Sequence, residues 1–219
     1  MNRMLAVLVA LCLIVPVGCQ TARSAYYNAW ESMGYAKRER LVDNVKKAKD
    51  EQIEAKQQFT SALEQFKSVV NFSGGDMEKM YNKLNSEYEA CEAQAGEVNT
   101  KIAAVKNVGT ALFSEWKTEI GQIKDDPTLK SSSEQLLAKT QANYNEMITR
   151  MDAAAATMQP VLTKFKNRVL FIKHNLNAQA IASLKGTEME LGGQIDTLIK
   201  EMEKSIAEAD EFIAETQGK

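Results

Sequence analysis

Residues 77–116, MEKMYNKLNSEYEACEAQAGEVNTKIAAVKNVGTALFSEW, carry the repeat that decides the fold class. Alternate steps of four and three residues through this stretch meet no charged side chain. The positions reached are Met77, Tyr81, Leu84, Tyr88, Cys91, Ala95, Val98, Ile102, Val105, Gly109, Leu112 and Trp116. A period of 3.5 residues keeps such a stripe on one side of an α-helix that packs against partner helices. The stretch therefore predicts a long helix with coiled-coil-like packing.

Three further stretches show the same spacing, from Leu41 to Val69, from Leu137 to Ile172 and from Leu184 to Phe212. Few polar residues interrupt these stripes, Gln52 and Arg168 among them. The chain has only 3 prolines and 11 glycines, and it is rich in residues of high helix propensity. The fold class predicted is all-α.

Turn and capping residues separate the four stretches. Asp76 follows two glycines, Asp126 precedes Pro127, and the heptad frame slips near residues 175–177. Thr187 and Glu190 have the spacing of a further capping box. The helices expected are about 37–72, 76–123, 127–174 and 177–215. Short connections make neighbours antiparallel, so residues 37–217 are predicted to form a single domain, an elongated antiparallel four-helix bundle.

Proline at position 160 conflicts with the third helix, because proline removes a helical hydrogen bond. We expect a kink near Ala156, and the alternative is a break that gives five helices.

The charge pattern supports the antiparallel order. The start of the first helix is basic, with Lys37 and Lys49 among its cations, and the end of the last helix is acidic, with Glu203 and Asp210. An up-down-up-down bundle places these segments at the same end, where they are expected to form ion pairs.

The N-terminus has the pattern of a secretory signal peptide. Arg3 precedes an apolar run over residues 4–17, which is shorter than the roughly 20 residues of a membrane-spanning helix. Residues 1–18 are therefore predicted to be a signal peptide and to be removed.

Gly18 and Cys19 match the core of a bacterial lipobox, although Pro16 occupies the position where that pattern usually has leucine. Cys19 is therefore predicted to be the site of lipid attachment. The alternative is ordinary cleavage nearby, which leaves Cys19 as a free thiol or removes it. The residue after Cys19 is Gln20 and not aspartate. By resemblance to lipoproteins that are sorted to the outer membrane, this indicates an outer-membrane location.

An aromatic-rich segment follows, SAYYNAWESMGY at residues 24–35. Residues 19–36 are predicted to be a lipid-proximal, aromatic-rich segment that contains a short helix. The interpretation we favour is a helix folded against the end of the bundle. The alternative is a helix that lies on the membrane surface or contacts a partner, because tryptophan and tyrosine favour the headgroup region of a bilayer.

No residue pattern indicates catalysis, a cofactor or a metal. His174 is the only histidine and has no metal-ligand partner at suitable spacing, and Cys91 occupies a core position without a nearby base. The net charge of −2 does not favour nucleic-acid binding. The sequence predicts a protein that is not an enzyme.

Three stretches resemble a family of bacterial exported helical proteins of unknown function, which are expected to be lipoproteins. They are YYNAWESMGYAKRERLVDNVKKAKDEQIEAKQQF, FKSVVNFSGGDMEKMYNKLNSEYE and VLFIKHNLNAQAIASLKG. The resemblance implies an all-helical exported protein and supplies no activity.

The function expected is that of a lipid-anchored envelope protein on the periplasmic side of the outer membrane. Its bundle is expected to act as a scaffold or partner-binding surface, with a protein partner or a second copy. The alternative is a membrane-remodelling or envelope-stress protein that self-assembles on bilayers, its apolar seams pairing between chains.

Overall fold

The computed structural model describes residues 18–71, 76–175 and 177–217, with side chains from residue 36 onward except at 178 and 180. The helices are α1 Gly18–Val70, α2 Met77–Ile120, α3 Pro127–His174, α4 Ala178–Ser183 and α5 Glu188–Gln217, with a 3-10 turn at Lys185–Thr187. Within these ranges no residue is in a β-strand. The all-α prediction is confirmed.

The chain divides into two compact units, Met1–Ala36 and Lys37–Lys219. In the first unit, the signal peptide predicted for residues 1–18 lies outside the described residues except for Gly18. The sequence predicts a separate short helix for residues 19–36, whereas the structure has their backbone in α1.

Helix α1 packs against α2 in the antiparallel direction. At the start of the second unit, Lys37 of α1 forms an ion pair with Glu115 in the last turns of α2. Further along, the Gln58 amide donates to the Glu87 carboxylate over 2.8 Å. Later residues of α1 therefore contact earlier residues of α2, so the two helices run in opposite directions.

Helix α1 also packs against α5, again antiparallel. Lys49 pairs with Asp210 at 2.8 Å, and Lys56 pairs with Glu203 at 3.2 Å. The predicted pairing of the basic start of the first helix with the acidic end of the last one is therefore confirmed. Each exposed pair contributes little, up to about 1 kcal/mol, but together they favour this order.

Helix α3 closes the ring by packing against α2 and α5. The Asn143 amide, in the first half of α3, donates to Glu215 near the end of α5, and Lys164, later in α3, pairs with Glu190 in the first turn of α5, so the two helices are antiparallel. The four long helices therefore form an up-down-up-down bundle, as predicted.

The core follows the heptad positions. Every predicted position from Leu41 to Val69 is buried, and so is every position from Leu191 to Phe212. The core position predicted at Arg168 is wrong by one residue. Val169 is the buried residue, at 3% exposure, whereas Arg168 turns outward and reaches Glu190 at 3.6 Å. Outward placement spares the guanidinium the cost of burial without a partner.

The predicted caps of the second and third helices are confirmed. The Asp76 carboxylate accepts from the Lys79 amide over 3.0 Å, and that of Asp126 accepts from the Leu129 amide over 2.8 Å. Pro127 occupies the first turn of α3, where no hydrogen-bond donor is lost. These residues fix where the two helices begin.

Helix α3 continues without a break through Pro160. The chain does have a fifth helix, but not at Pro160. The short helix α4 and the 3-10 turn occupy the residues predicted as the start of the fourth helix. Thr187 does not form the expected capping box, and its hydroxyl instead donates to the Leu184 carbonyl over 2.8 Å. Gly186 and Thr187 are weak helix formers, while Ile181 and Leu184 are buried and hold the turn against the core.

Candidate functional site

The bundle has two ends, and its first residue, Lys37, lies at one of them. The proximal end contains Lys37, Ile120, Pro127 and Gln217, whereas the distal end contains Val70, Met77, His174 and Glu188. Cys19 and the aromatic segment precede Lys37 in α1, and their side chains lie outside the described residues. Lipid attachment at Cys19 therefore stays a prediction.

Cys91 is fully buried. Its thiol lies 3.6 Å from the Gln58 carbonyl, to which it donates. Burial raises the pKa of the Cys91 thiol to about 12, so it stays protonated. A buried neutral thiol is neither a nucleophile nor accessible to a second cysteine.

His174 is the last residue of α3 and is exposed. Within residues 18–71, 76–175 and 177–217, no group of three or more His, Cys, Asp or Glu side chains has an arrangement that could hold a metal ion.

The tyrosines at heptad positions pack as core residues. Tyr88 and Tyr144 contact Phe165 and Phe113 edge to face, at centroid distances of 5.9 and 5.0 Å. Burial raises the pKa of each tyrosine hydroxyl to about 12. The Tyr144 hydroxyl donates to the Val105 carbonyl over 3.3 Å, which satisfies it inside the bundle.

An acidic cluster lies between α3 and α5 towards the proximal end. Glu146, Glu208, Glu211 and Glu215 line a small cleft of 80 Å³ there. Partial burial raises the pKa of Glu208, and repulsion from Glu146 and Glu211 raises it further. This cluster is strained electrostatically but has no buried polar group aimed at a ligand.

Exposed apolar residues and cations also occur at the distal end. Leu170 and Phe171, in the last turns of α3, are 41% and 39% exposed. Lys173 follows them on α3, and Lys185 lies in the 3-10 turn, both exposed. These four residues, Leu170, Phe171, Lys173 and Lys185, are called the distal patch below.

The heptad analysis missed the distal patch, although the sequence carries a signal for it. No aspartate or glutamate occurs between Asp152 and Glu188. The same interval contains five cations, namely Lys164, Lys166, Arg168, Lys173 and Lys185. The interval is therefore locally basic in a chain of net charge −2.

A family model described as a protein of unknown function (DUF2959) matches residues 26–216. No curated protein and no solved structure matches the chain. In the ranges that the structure describes, every helix is too short or too polar to span a bilayer.

Proposed function

The chain belongs to the DUF2959 family, and since that family is described as of unknown function, we propose a function from the residues themselves. The protein is a non-enzymatic lipoprotein held through Cys19 on the periplasmic side of the outer membrane. Its helical bundle is a scaffold that presents binding surfaces to other envelope components. The observation that carries the proposal is Gly18-Cys19 directly after a short apolar run.

The burial of Cys91 supports lipid attachment at Cys19. Proteins exported to an oxidising compartment usually pair their cysteines. Cys91 is fully buried and its thiol donates to the Gln58 carbonyl, so Cys91 is not accessible as a disulfide partner for Cys19. Modification of Cys19 by lipid accounts for an exported chain with one buried cysteine.

The packing of the seams supports a scaffold over self-assembly through those seams. The heptad positions of α1 and α5 are buried against neighbouring helices of the same chain. Pairing them between chains would first require the bundle to open. What the folded bundle presents to a partner is therefore its charged exterior and its two ends.

Membrane fractionation of a Cys19→Ser variant tests the anchoring. We expect the wild type in the outer-membrane fraction and the variant released into the soluble periplasmic fraction, with Cys91→Ser behaving as the wild type. Equal membrane retention of the Cys19→Ser variant and the wild type would count against the proposal.

A further inference from the structure

The contacts of α5 carry the unpaired buried polar atoms of the described part of the chain. Two buried side-chain atoms have no hydrogen-bond partner among the described residues, the Gln52 amide nitrogen and the Gln194 side-chain oxygen. The Gln52 side chain accepts from Ser205 of α5, and Gln194 belongs to α5 itself. Each unpaired atom gives up its hydrogen bonds to water when α5 packs, and it regains them when α5 moves away.

The contacts among α1, α2 and α3 are different, because buried polar groups there are paired. The Cys91 thiol of α2 donates to the Gln58 carbonyl of α1 over 3.6 Å. The Tyr144 hydroxyl of α3 donates to the Val105 carbonyl of α2 over 3.3 Å. At these positions the three helices pack without an unpaired polar group.

Carboxylates also crowd the contact between α5 and α3. Glu208 and Glu211 of α5 line the same small cleft as Glu146 of α3. Burial raises the pKa of Glu208 above its ordinary value, and repulsion from the other two carboxylates raises it further. Separation of α5 from α3 relieves this repulsion.

The start of α5 has less local support than the starts of α2 and α3. Those two helices begin at the capping carboxylates of Asp76 and Asp126, whereas the 3-10 turn Lys185–Thr187 precedes α5. Gly192 and Gly193 follow in the second turn of α5, and glycine weakens a helix. Both the packing and the local helical structure of α5 are thus weakened.

We propose that α5 is a latch, which detaches as a unit from α1 and α3 while these two helices and α2 stay packed together. Burial of the α5 stripe from Leu191 to Phe212 favours the closed state. Opening restores water to the unpaired polar atoms and separates the crowded carboxylates. It also exposes the parts of the α1 and α3 stripes that α5 covers, so the scaffold has two states that differ in exposed apolar surface. The latch does not depend on lipid attachment at Cys19.

Hydrogen exchange of the full chain, followed by mass spectrometry, tests the latch. A detached helix loses most of its helical stability, because that stability comes from packing, so the amides of α5 exchange when the latch opens. The amides inside α2 exchange only when the whole bundle unfolds. We expect residues 191–213 to exchange together and to be at least about 10-fold less protected than residues 98–112.

Two rates of exchange would overturn the inference. Equal protection of α5 and α2 would show that α5 opens only with the whole bundle. A gradual change of protection along α5 would show fraying from one end in place of detachment as a unit.

Gly96→Ala and Gly193→Ala are matched variants that separate the latch from global unfolding. A Cβ added at Gly96 of α2 or at Gly193 of α5 meets nothing within 4 Å, so each alanine stabilises its own helix. Since α2 stays folded when the latch opens, Gly96→Ala is expected to slow exchange in α2 by about 2- to 5-fold and to leave α5 unchanged. Gly193→Ala is expected to slow both helices equally, because α5 is unfolded in either opening. Equal slowing of both helices by Gly96→Ala would overturn the latch.

The double variant Gln52→Leu with Ser205→Ala tests the cause of the opening. It removes the unpaired amide together with its partner, so it is expected to slow exchange in α5 by about 5-fold or more. Unchanged or faster exchange in α5 of this variant would also overturn the inference. Thermal melting of each variant checks that the bundle remains folded.

Discussion

The Ser205 hydroxyl donates to the Gln52 side-chain carbonyl over 2.9 Å, and both residues are fully buried between α1 and α5. The amide nitrogen of Gln52 has no hydrogen-bond partner among the residues that the structure describes. A buried donor without a partner costs about 1–3 kcal/mol. This pair is therefore a polar layer that holds α1 and α5 in register at the expense of stability.

We expect Ser205→Ala alone to destabilise the bundle by about 1–3 kcal/mol, because it leaves both polar atoms of the Gln52 side chain unpaired. The double variant Gln52→Leu with Ser205→Ala removes every polar atom of the pair, so it is expected to equal or exceed the wild type. Urea unfolding measures both. A double variant less stable than Ser205→Ala alone would contradict this account of the layer.

Gly109 makes room for Tyr144 where α2 and α3 approach. A Cβ at position 109 would lie 2.4 Å from the ring of Tyr144. Gly109→Ala is therefore expected to destabilise by about 1–3 kcal/mol, although alanine favours helix.

Gly96 is the matched control on the same helix, since nothing lies within 4 Å of an added Cβ there. Gly96→Ala is expected to stabilise by about 0.5–1 kcal/mol. Thermal unfolding of both variants is the measurement. Stabilisation by both would show that the ring of Tyr144 moves aside at no cost.

Cys91 is expected to resist alkylation in the folded protein, because burial keeps its thiol protonated and inaccessible. Mass spectrometry after maleimide treatment checks this, with treatment in denaturant as the control that must label it. Rapid labelling under native conditions would mean that α1 and α2 separate readily around this position.

Glu208 provides a pH test. Burial and the carboxylates of Glu146 and Glu211 raise its pKa above the ordinary 4.5, so the folded state binds this proton more tightly than the unfolded state does. Ionised Glu208 thus destabilises the fold at neutral pH, and the penalty disappears as the pH falls through its folded-state pKa towards 4.5.

Glu208→Gln is accordingly expected to raise the melting temperature modestly at neutral pH, with a smaller gain near pH 4.5. Glu134→Gln, on the exposed start of α3, is the control for loss of a carboxylate at a site without this crowding. If the increase in melting temperature from Glu208→Gln grew as the pH fell, the result would contradict this mechanism.

Heptad spacing was enough to predict the bundle. An apolar stripe of this period identifies a helix and the face that it buries, and this face must pack against other helices. It did not reveal the turn before α5, since Ile181, Leu184 and Leu191 keep seam spacing through it. The distal patch was not predicted from the sequence, for a related reason. An apolar residue such as Phe171 looks like core in a sequence, and only the end of the neighbouring helix exposes it.

The nature of the mature N-terminus tests the central claim, lipid attachment at Cys19, most directly. Mass spectrometry of the protein extracted from membranes is expected to find residue 19 as the first residue, with a mass increased by acyl chains on its sulfur and amine. An unmodified N-terminus at any position, or a chain that retains residues 1–18, would contradict the account.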